Sequence, residues 1–361
     1  MDRKVKFVQY GCGKMSVYLM RYAIEHGAEP VGAFDVNPGV IGKDISDITG
    51  MKEKTGITIS DAKELDSVLK KEQPDVCIVA TRSTMEEIYE PYSICAQNGI
   101  NAISTCEESL YPWNSAPKIT KELDEMAKKS GATLSGAGYP DMYWGVLIDT
   151  LAGSMHNITK IKGSSSYNVE DYGIALAEGH GAGLSMKDFD KEIGGYNSYS
   201  HEQIQELVDK GEWIPSYMWT QNGWLAAKMG LTVVSQTQKN IPMTHTEDLH
   251  SETLGMTIKA GQPTGMASVV TTTTKEGIIL ETESIGKVYA PDEFDKNDWT
   301  LYGEPETTIN VNRPATVELT CSELVGRIPA LIDSEPGYVT TNNFPNNVYL
   351  IEDLHKYVKT K

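Results

Sequence analysis

Lys4-Val5-Lys6-Phe7-Val8-Gln9-Tyr10-Gly11-Cys12-Gly13-Lys14-Met15-Ser16-Val17-Tyr18-Leu19-Met20 decides the fold. It reads as an apolar strand, a glycine turn and the start of a helix. About twenty residues on, Pro30-Val31-Gly32-Ala33-Phe34-Asp35 reads as a second strand that ends in an acid. Strand, glycine turn, helix, strand and acid in this succession are the pattern of a βαβ unit that holds a dinucleotide. Gly11 makes the tight turn and Gly13 lets backbone amides approach a pyrophosphate. The turn residues Gly11, Cys12, Gly13, Lys14, Met15 and Ser16 then lie at a helix N-terminus, whose dipole favours anions. Ser16 stands where the usual third glycine would be and is small enough for close helix–strand packing. Asp35 is placed to accept from the ribose hydroxyls. Its charge would repel a 2′-phosphate, so NAD is the expected cofactor, with NADP possible.

Outward from that unit, the 361-residue chain exceeds what one compact core usually takes, so two domains are expected. No apolar run approaches the ~20 residues of a membrane span. The chain enters a strand within four residues, with no basic segment, apolar core and cleavage site before it, so a cytoplasmic location is expected. The five cysteines are scattered and form no CxxC pair, which fits reduced thiols better than a disulfide frame or a metal site, and no metal is expected. With 32 basic against 50 acidic side chains the net charge is −18. Such a surface repels nucleic acid and anionic lipid, so neither is an expected partner.

Up to residue 139, apolar β runs alternate with helical patterns, the mark of a doubly wound parallel sheet. Asp61–Lys71 reads as a helix with Asp61 as its N-cap, and Pro74–Thr81 as a strand buried on both faces. A helix at Met85–Asn98, a strand at Asn101–Thr105, a helix at Ala116–Ser130 and a strand at Ala132–Gly136 complete the pattern. From 140 to 311 the texture changes to Thr- and Val-rich β runs at Ile158–Tyr167, Thr232–Gln238, Ala267–Thr274, Gly277–Tyr289 and Thr307–Val311. They predict an α+β substrate domain on a mixed or mostly antiparallel sheet. Residues 312–361 carry a helical pattern over Pro314–Ile332 and a turn-rich tail, expected to pack back on the nucleotide domain.

In an open α/β sheet, chemistry gathers beyond the carboxyl ends of the strands. Thr81, Arg82 and Ser83 follow one such end and read either as cofactor contacts or as an ordinary polar loop. Thr105-Cys106-Glu107-Glu108 follows another. Two adjacent carboxylates there are costly unless one serves as a base or ligand, the alternative being solvated acids at a helix start. Many two-domain Rossmann oxidoreductases carry Glu-Lys-Pro at this place. Superposing that pattern puts Glu108 on the lysine, which suits a substrate whose reacting group is an amine. Tyr139, Asp141 and Trp144 fall at the domain crossover, where aromatics wall a pocket and Asp141 pairs an ammonium, or where all three simply pack a hinge. Asn168, Tyr172 and His180 follow the first strand of the second domain and are candidates for substrate binding, although a histidine between glycines also reads as a loop residue.

Gly11-Cys12-Gly13-Lys14-Met15-Ser16, Gly32-Ala33-Phe34-Asp35-Val36-Asn37-Pro38, Ser104-Thr105-Cys106-Glu107-Glu108, Tyr111-Pro112-Trp113, Ser166-Tyr167-Asn168-Val169-Glu170-Asp171-Tyr172-Gly173 and Asn312-Arg313-Pro314-Ala315-Thr316-Val317-Glu318-Leu319 together resemble the native amine dehydrogenases. The fold of that family is similar to that of dihydrodipicolinate reductase. The resemblance runs nearly the whole length and implies NAD(P)-dependent oxidative deamination of an amine that is not α to a carboxylate. Its implied substrate is the small-molecule diamine 2,4-diaminopentanoate of clostridial ornithine fermentation, oxidised at C4 to 2-amino-4-oxopentanoate with release of ammonia. The family's central glutamate maps to Glu108, with Glu107 as the neighbouring possibility. The resemblance also implies a homodimer joined through the second domain's sheet. Two other readings stay open: a Rossmann oxidoreductase acting on a sugar hydroxyl or a cyclic imine, and a non-catalytic NAD-sensing protein.

Overall fold

The computed structural model describes residues 3–359. The chain divides into two compact units, one running to Val146 and resuming at Ala315, the other spanning Leu147–Pro314.

In the first unit, β1 (Lys6–Tyr10), β2 (Glu29–Asp35), β3 (Ile59–Asp61), β4 (Val76–Val79), β5 (Asn101–Ser104) and β6 (Thr133–Gly136) form a parallel sheet with a short strand at Gly337–Tyr338. The spatial order is Gly337–Tyr338, β6, β5, β4, β1, β2, β3. Helices α1 (Lys14–Glu25), α2 (Ile45–Thr49), α3 (Leu65–Glu72), α4 (Met85–Gln97) and α5 (Pro117–Ser130) provide the crossovers. Val76, Cys77, Ile78 and Val79 are all fully buried, as an inner strand covered on both faces requires. The chain winds outward from β1 in both directions, so β1 and β4 are neighbours that lead to opposite halves of the sheet. This reversal opens a crevice at their carboxyl ends. The long helix Thr316–Asp333 packs on α1, where Cys321, Leu324, Val325 and Ile328 share a core with Leu19, Met20 and Ala23.

Helix starts follow the local chemistry. Thr84 and Glu87 close a reciprocal capping box at α4, and Pro117 opens α5, which ends on Gly131 in the left-handed conformation. Asp61 ends β3 and accepts from the Lys63 amide at 2.9 Å, so it caps a 3-10 turn ahead of α3. The tail read as turns contributes Gly337–Tyr338, because the unpaired edge of β6 offers a ladder that no local signal announces.

The second unit contains α6 (Leu147–Ala152), β7 (Asn157–Asn168), α7 (Ile174–Gly179), α8 (Met186–Glu192), α9 (His201–Lys210), α10 (Tyr217–Met229), β8 (Val233–Thr244), β9 (Leu249–Ser251), β10 (Met256–Ile258), β11 (Pro263–Thr274), β12 (Ile279–Lys287), β13 (Lys296–Glu304) and β14 (Thr307–Asn312). A six-stranded sheet runs β14, β13, β7, β12, β11, β8; β7 and β12 pair in parallel and the other neighbours are antiparallel. Asn222 on α10 donates to Thr272 at 3.1 Å and accepts from Thr282 at 2.9 Å, pinning that helix to β11 and β12. Sequence patterning did not mark β13, whose buried face is Asn297, Trp299 and Leu301: a polar residue breaks the apolar alternation. Four helices, α7 to α10, also separate β7 from β8. α8 and α9 are mostly polar and are started by the caps Ser185 and Ser200 rather than by long apolar stripes. Among the described residues, no helix is long and apolar enough to cross a membrane.

Candidate active site

Three turns meet at one edge of the parallel sheet. The first follows β1. Gly11 donates to the Phe34 carbonyl at 2.8 Å with φ +87°, and a Cβ there would lie 2.3 Å from the Ala80 carbonyl oxygen. Only glycine fits so close to the turn that follows β4. Gly13, the residue before α1, faces open space, and no side chain caps the helix and no acid sits in its first turn. The first amides of α1 therefore keep their donors for an anion. Ser16 is buried and turns its hydroxyl back to the Gly13 carbonyl at 2.6 Å, while Lys14 is exposed and Met15 half-buried. Asp35 accepts from the Cys12 amide at 2.5 Å and the Asn37 amide at 2.7 Å, which fixes its carboxylate beside the turn. Burial, with Asp35 next to it, pushes the Cys12 thiol up to about 12, so this cysteine stays a neutral packing group. These features fit a dinucleotide: a tight turn, an uncapped helix start and an anchored acid.

The second turn, Ala80–Ser83, leaves Thr81 and Arg82 exposed and Ser83 half-buried. The third follows β5. The Thr105 amide donates to Val79 at 3.2 Å and the Glu108 amide donates to Ser83 at 3.3 Å, which ties the second and third turns together. Here the two glutamates part. Glu108 is 5 % exposed and its Oε2 accepts from the Met85 amide at 2.6 Å, at the first turn of α4. Burial raises its carboxyl above the ordinary range, while the Met85 amide and the Ser115 hydroxyl pull it down and Glu87 and Glu86 push it up. Glu107 remains partly accessible, and its side chain meets the Ser83 hydroxyl. Its carboxyl is also raised by burial, against that hydrogen bond. Glu108 is thus held against the start of α4, while Glu107, one residue earlier, keeps part of its surface accessible.

Asp141 requires a correction. It is fully buried, and its Oδ2 accepts from Arg327 through Nε at 2.7 Å and Nη2 at 2.5 Å. Arg327 also donates to Glu323 at 2.7 Å and to the Pro345 carbonyl at 2.6 Å. Burial and the adjacent Asp141 push the Glu323 carboxyl well up. Asp141 is therefore committed to a guanidinium and is not free to pair a substrate ammonium. Sequence reading missed Arg327 and Glu323, although two charges four residues apart in an otherwise apolar helix were a usable signal. Tyr139 is buried, stacks on Tyr143 with centroids 4.4 Å apart, and meets Trp144 edge-on at 6.2 Å.

In the second unit, Asn168 caps a 3-10 turn by accepting from the Glu170 amide at 3.3 Å. Tyr172, at the end of that turn, is 55 % exposed and packs edge-on against Tyr167 at 5.8 Å. His180 is buried, with Nδ1 2.8 Å from the Leu176 carbonyl and Nε2 2.7 Å from the Tyr167 hydroxyl. Burial lowers its pKa, with the Leu176 carbonyl opposing. Tyr167 was not singled out from the sequence.

No protein-family model matches the chain. An amine dehydrogenase from Mycobacterium smegmatis has a solved structure that is 32% identical, with a TM-score of 0.81 over 97% of this chain and 99% of that one. A 2,4-diaminopentanoate dehydrogenase of Acetoanaerobium sticklandii is 25% identical over 231 residues, which are 61% of this chain and 63% of that protein. The match thus spans just under two thirds of this curated relative. The WlbA dehydrogenase from Bordetella pertussis, solved with NADH and UDP-GlcNAcA, shares the fold at 15% identity and a TM-score of 0.54, over 88% of this chain and 76% of that one.

Proposed function

This chain belongs to the amine dehydrogenase family, and from that premise we propose that it catalyses the NAD(P)-dependent oxidative deamination of 2,4-diaminopentanoate. The reaction would occur at C4 and yield 2-amino-4-oxopentanoate and ammonia, a step of ornithine fermentation. The observation that carries this reading is Glu107: a partly accessible carboxylate of raised pKa at the sheet edge that also bears the uncapped start of α1.

The chemistry assigns its role. An alkylammonium has a pKa of ~10 and no lone pair with which to expel hydride, so its nitrogen must lose a proton first. Glu107 takes that proton. A bound nicotinamide would supply the hydride acceptor, held by the turn Gly11–Ser16 and by Asp35. Hydride loss leaves the substrate as an iminium. Glu107 passes its proton to solvent and, as a carboxylate again, removes a proton from the water that attacks C4 and then returns it to the nitrogen. The resulting carbinolamine collapses to ketone and ammonia. Desolvation brings the pKa of Glu107 nearer neutrality and makes it a stronger base than an exposed carboxylate.

Asp35 favours NAD over NADP in this reading, because its fixed charge would meet a 2′-phosphate. The same reading includes a cytoplasmic enzyme, a homodimer joined through the six-stranded sheet, and no nucleic-acid or membrane partner. Light scattering at micromolar protein tests the dimer. The deciding assay is NADH formation with 2,4-diaminopentanoate, set against simple monoamines and α-amino acids. Turnover of the diamine at least tenfold more efficient supports the assignment; equal or better turnover of α-amino acids overturns it.

A further inference from the structure

The chain leaves the first unit through Asp141–Val146 and re-enters it through the helix Thr316–Asp333. Thr320, Glu323 and Arg327 recur at helical spacing, so one face of that helix meets the departing segment. The Tyr139 amide donates to the Thr320 hydroxyl at 3.2 Å. A Cβ at Gly138 would lie 2.8 Å from Thr320 Cγ2, so the backbone runs directly against the helix. Beyond this contact lie Asp141, Glu323 and Arg327.

The formal charges there do not balance. Arg327 brings one positive charge and the two acids would bring two negative ones, on side chains no more than 5% exposed. Both carboxyls accept from the same Arg327 Nε at 2.7 Å, so they stand side by side. Nη2 adds a second bond to Asp141, while Nη1 is spent on the Pro345 carbonyl. Asp141 Oδ1 and Glu323 Oε2 are sealed from water, and among the described residues no donor reaches either. Of the elements packed around them, the tail presents the Pro345 carbonyl and the Asn347 amide, and α1 presents Leu19, Met20 and Ala23, all uncharged. Glu318, on the same helix, faces Tyr18 instead. A second buried carboxylate beside one guanidinium is too costly to keep ionised.

We infer that Glu323 and Asp141 share one proton at neutral pH, carried by Glu323 and donated to Asp141, and that this proton fastens the departing segment to the returning helix. Asp141 takes two of the guanidinium's hydrogen bonds and Glu323 one, so the negative charge settles on Asp141. The proton gives both sealed oxygens a partner and leaves the cluster electrically neutral. Burial and the adjacent Asp141 hold the Glu323 carboxyl well up, against the pull of Arg327, in the same sense. Such a fastening is sensitive to pH. The unfolded chain gives up this proton at about pH 4.3, while the folded chain keeps it. Folding therefore takes up one proton, and stability falls as pH rises until the folded group ionises too.

The test is urea unfolding of the wild type, Glu323→Gln and Asp141→Asn at several pH values. Glutamine keeps the shape of the protonated acid, and its amide N–H can donate to Asp141. From about pH 5 to 7, the unfolding constant of the wild type relative to Glu323→Gln should rise about tenfold per pH unit, the response of one proton held by the folded state alone. Asp141→Asn leaves one acid for one guanidinium, so Glu323 ionises, and its profile should run parallel to that of Glu323→Gln. The infrared difference between wild type and Glu323→Gln at neutral pH should show a carboxylic-acid C=O band in the wild type alone. Parallel profiles for wild type and Glu323→Gln, or no such band, overturn the inference. So does a Glu323→Gln chain that does not fold, because the amide reproduces the protonated acid. An Asp141→Asn protein that keeps the wild-type pH dependence overturns the sharing with Asp141; if that variant does not fold, the Glu323→Gln profile and the band decide.

Discussion

Glu107 and Glu108 are consecutive carboxylates just past β5, and the fold gives them opposite work. Glu108 is sealed against the Met85 amide, where it satisfies a buried donor at the start of α4. Glu107 meets the Ser83 hydroxyl and keeps part of its surface open. The two helix starts at this edge differ in the same sense: α4 is closed by a capping box and Glu108, while α1 has neither a cap nor an acid. Residue type alone therefore does not mark the working group. A carboxylate whose lone pairs are already spent on the backbone has little left for a substrate. Asp141, locked to Arg327, is a third case of the committed kind.

The largest test of this contrast is Glu107→Gln, which keeps the size but cannot accept a proton at neutral pH. Its kcat should fall about 10²–10⁴-fold, the usual share of a positioned base. In the wild type, kcat/KM should rise with pH through the raised pKa of Glu107, so the acid limb lies above the ordinary carboxylate range. The stability sign runs the other way. A carboxyl whose folded pKa is raised contributes stability below its unfolded pKa and loses that contribution as pH rises through the folded one. Glu107→Gln should therefore melt no lower than the wild type at pH 7, a loss of activity without a loss of fold. A variant that loses both would move Glu107 into the committed class.

Next in size is Arg327→Leu, which strips the guanidinium from buried Asp141 and Glu323. It should cost roughly 3–5 kcal/mol in urea unfolding, because it leaves uncompensated buried acids. If it instead changed the amine KM of a fully stable protein, Asp141 would return to the substrate-binding group. Smaller still is Glu108→Ala, which orphans the Met85 amide and should lower stability by about 1–3 kcal/mol while kcat stays within tenfold. A drop in kcat as large as that of Glu107→Gln would exchange the two roles. Last, Asp35→Ser should shift the NADP-to-NAD ratio of kcat/KM about tenfold toward NADP while leaving the melting temperature nearly unchanged. An unmoved ratio would mean that the carboxylate works only as an anchor for the Cys12 and Asn37 amides.

What the sequence determined by itself was local. A strand, a glycine turn, a helix and an acid within thirty-five residues specify a dinucleotide unit, because each part depends on its near neighbours: Gly11 for a positive φ, Asp35 for an amide a short turn away. The doubly wound sheet and the mixed second sheet were legible for the same reason, as periodicities of the chain. Tertiary structure decided the matters that depend on partners distant in sequence. Met85 claims Glu108 from 23 residues away and Arg327 claims Asp141 from 186. Tyr167 meets His180, thirteen residues on, only because Gly286, on another strand, leaves the space. A side chain's identity sets which hydrogen bonds it can make, but the availability of its lone pairs depends on what the rest of the fold has already placed against them.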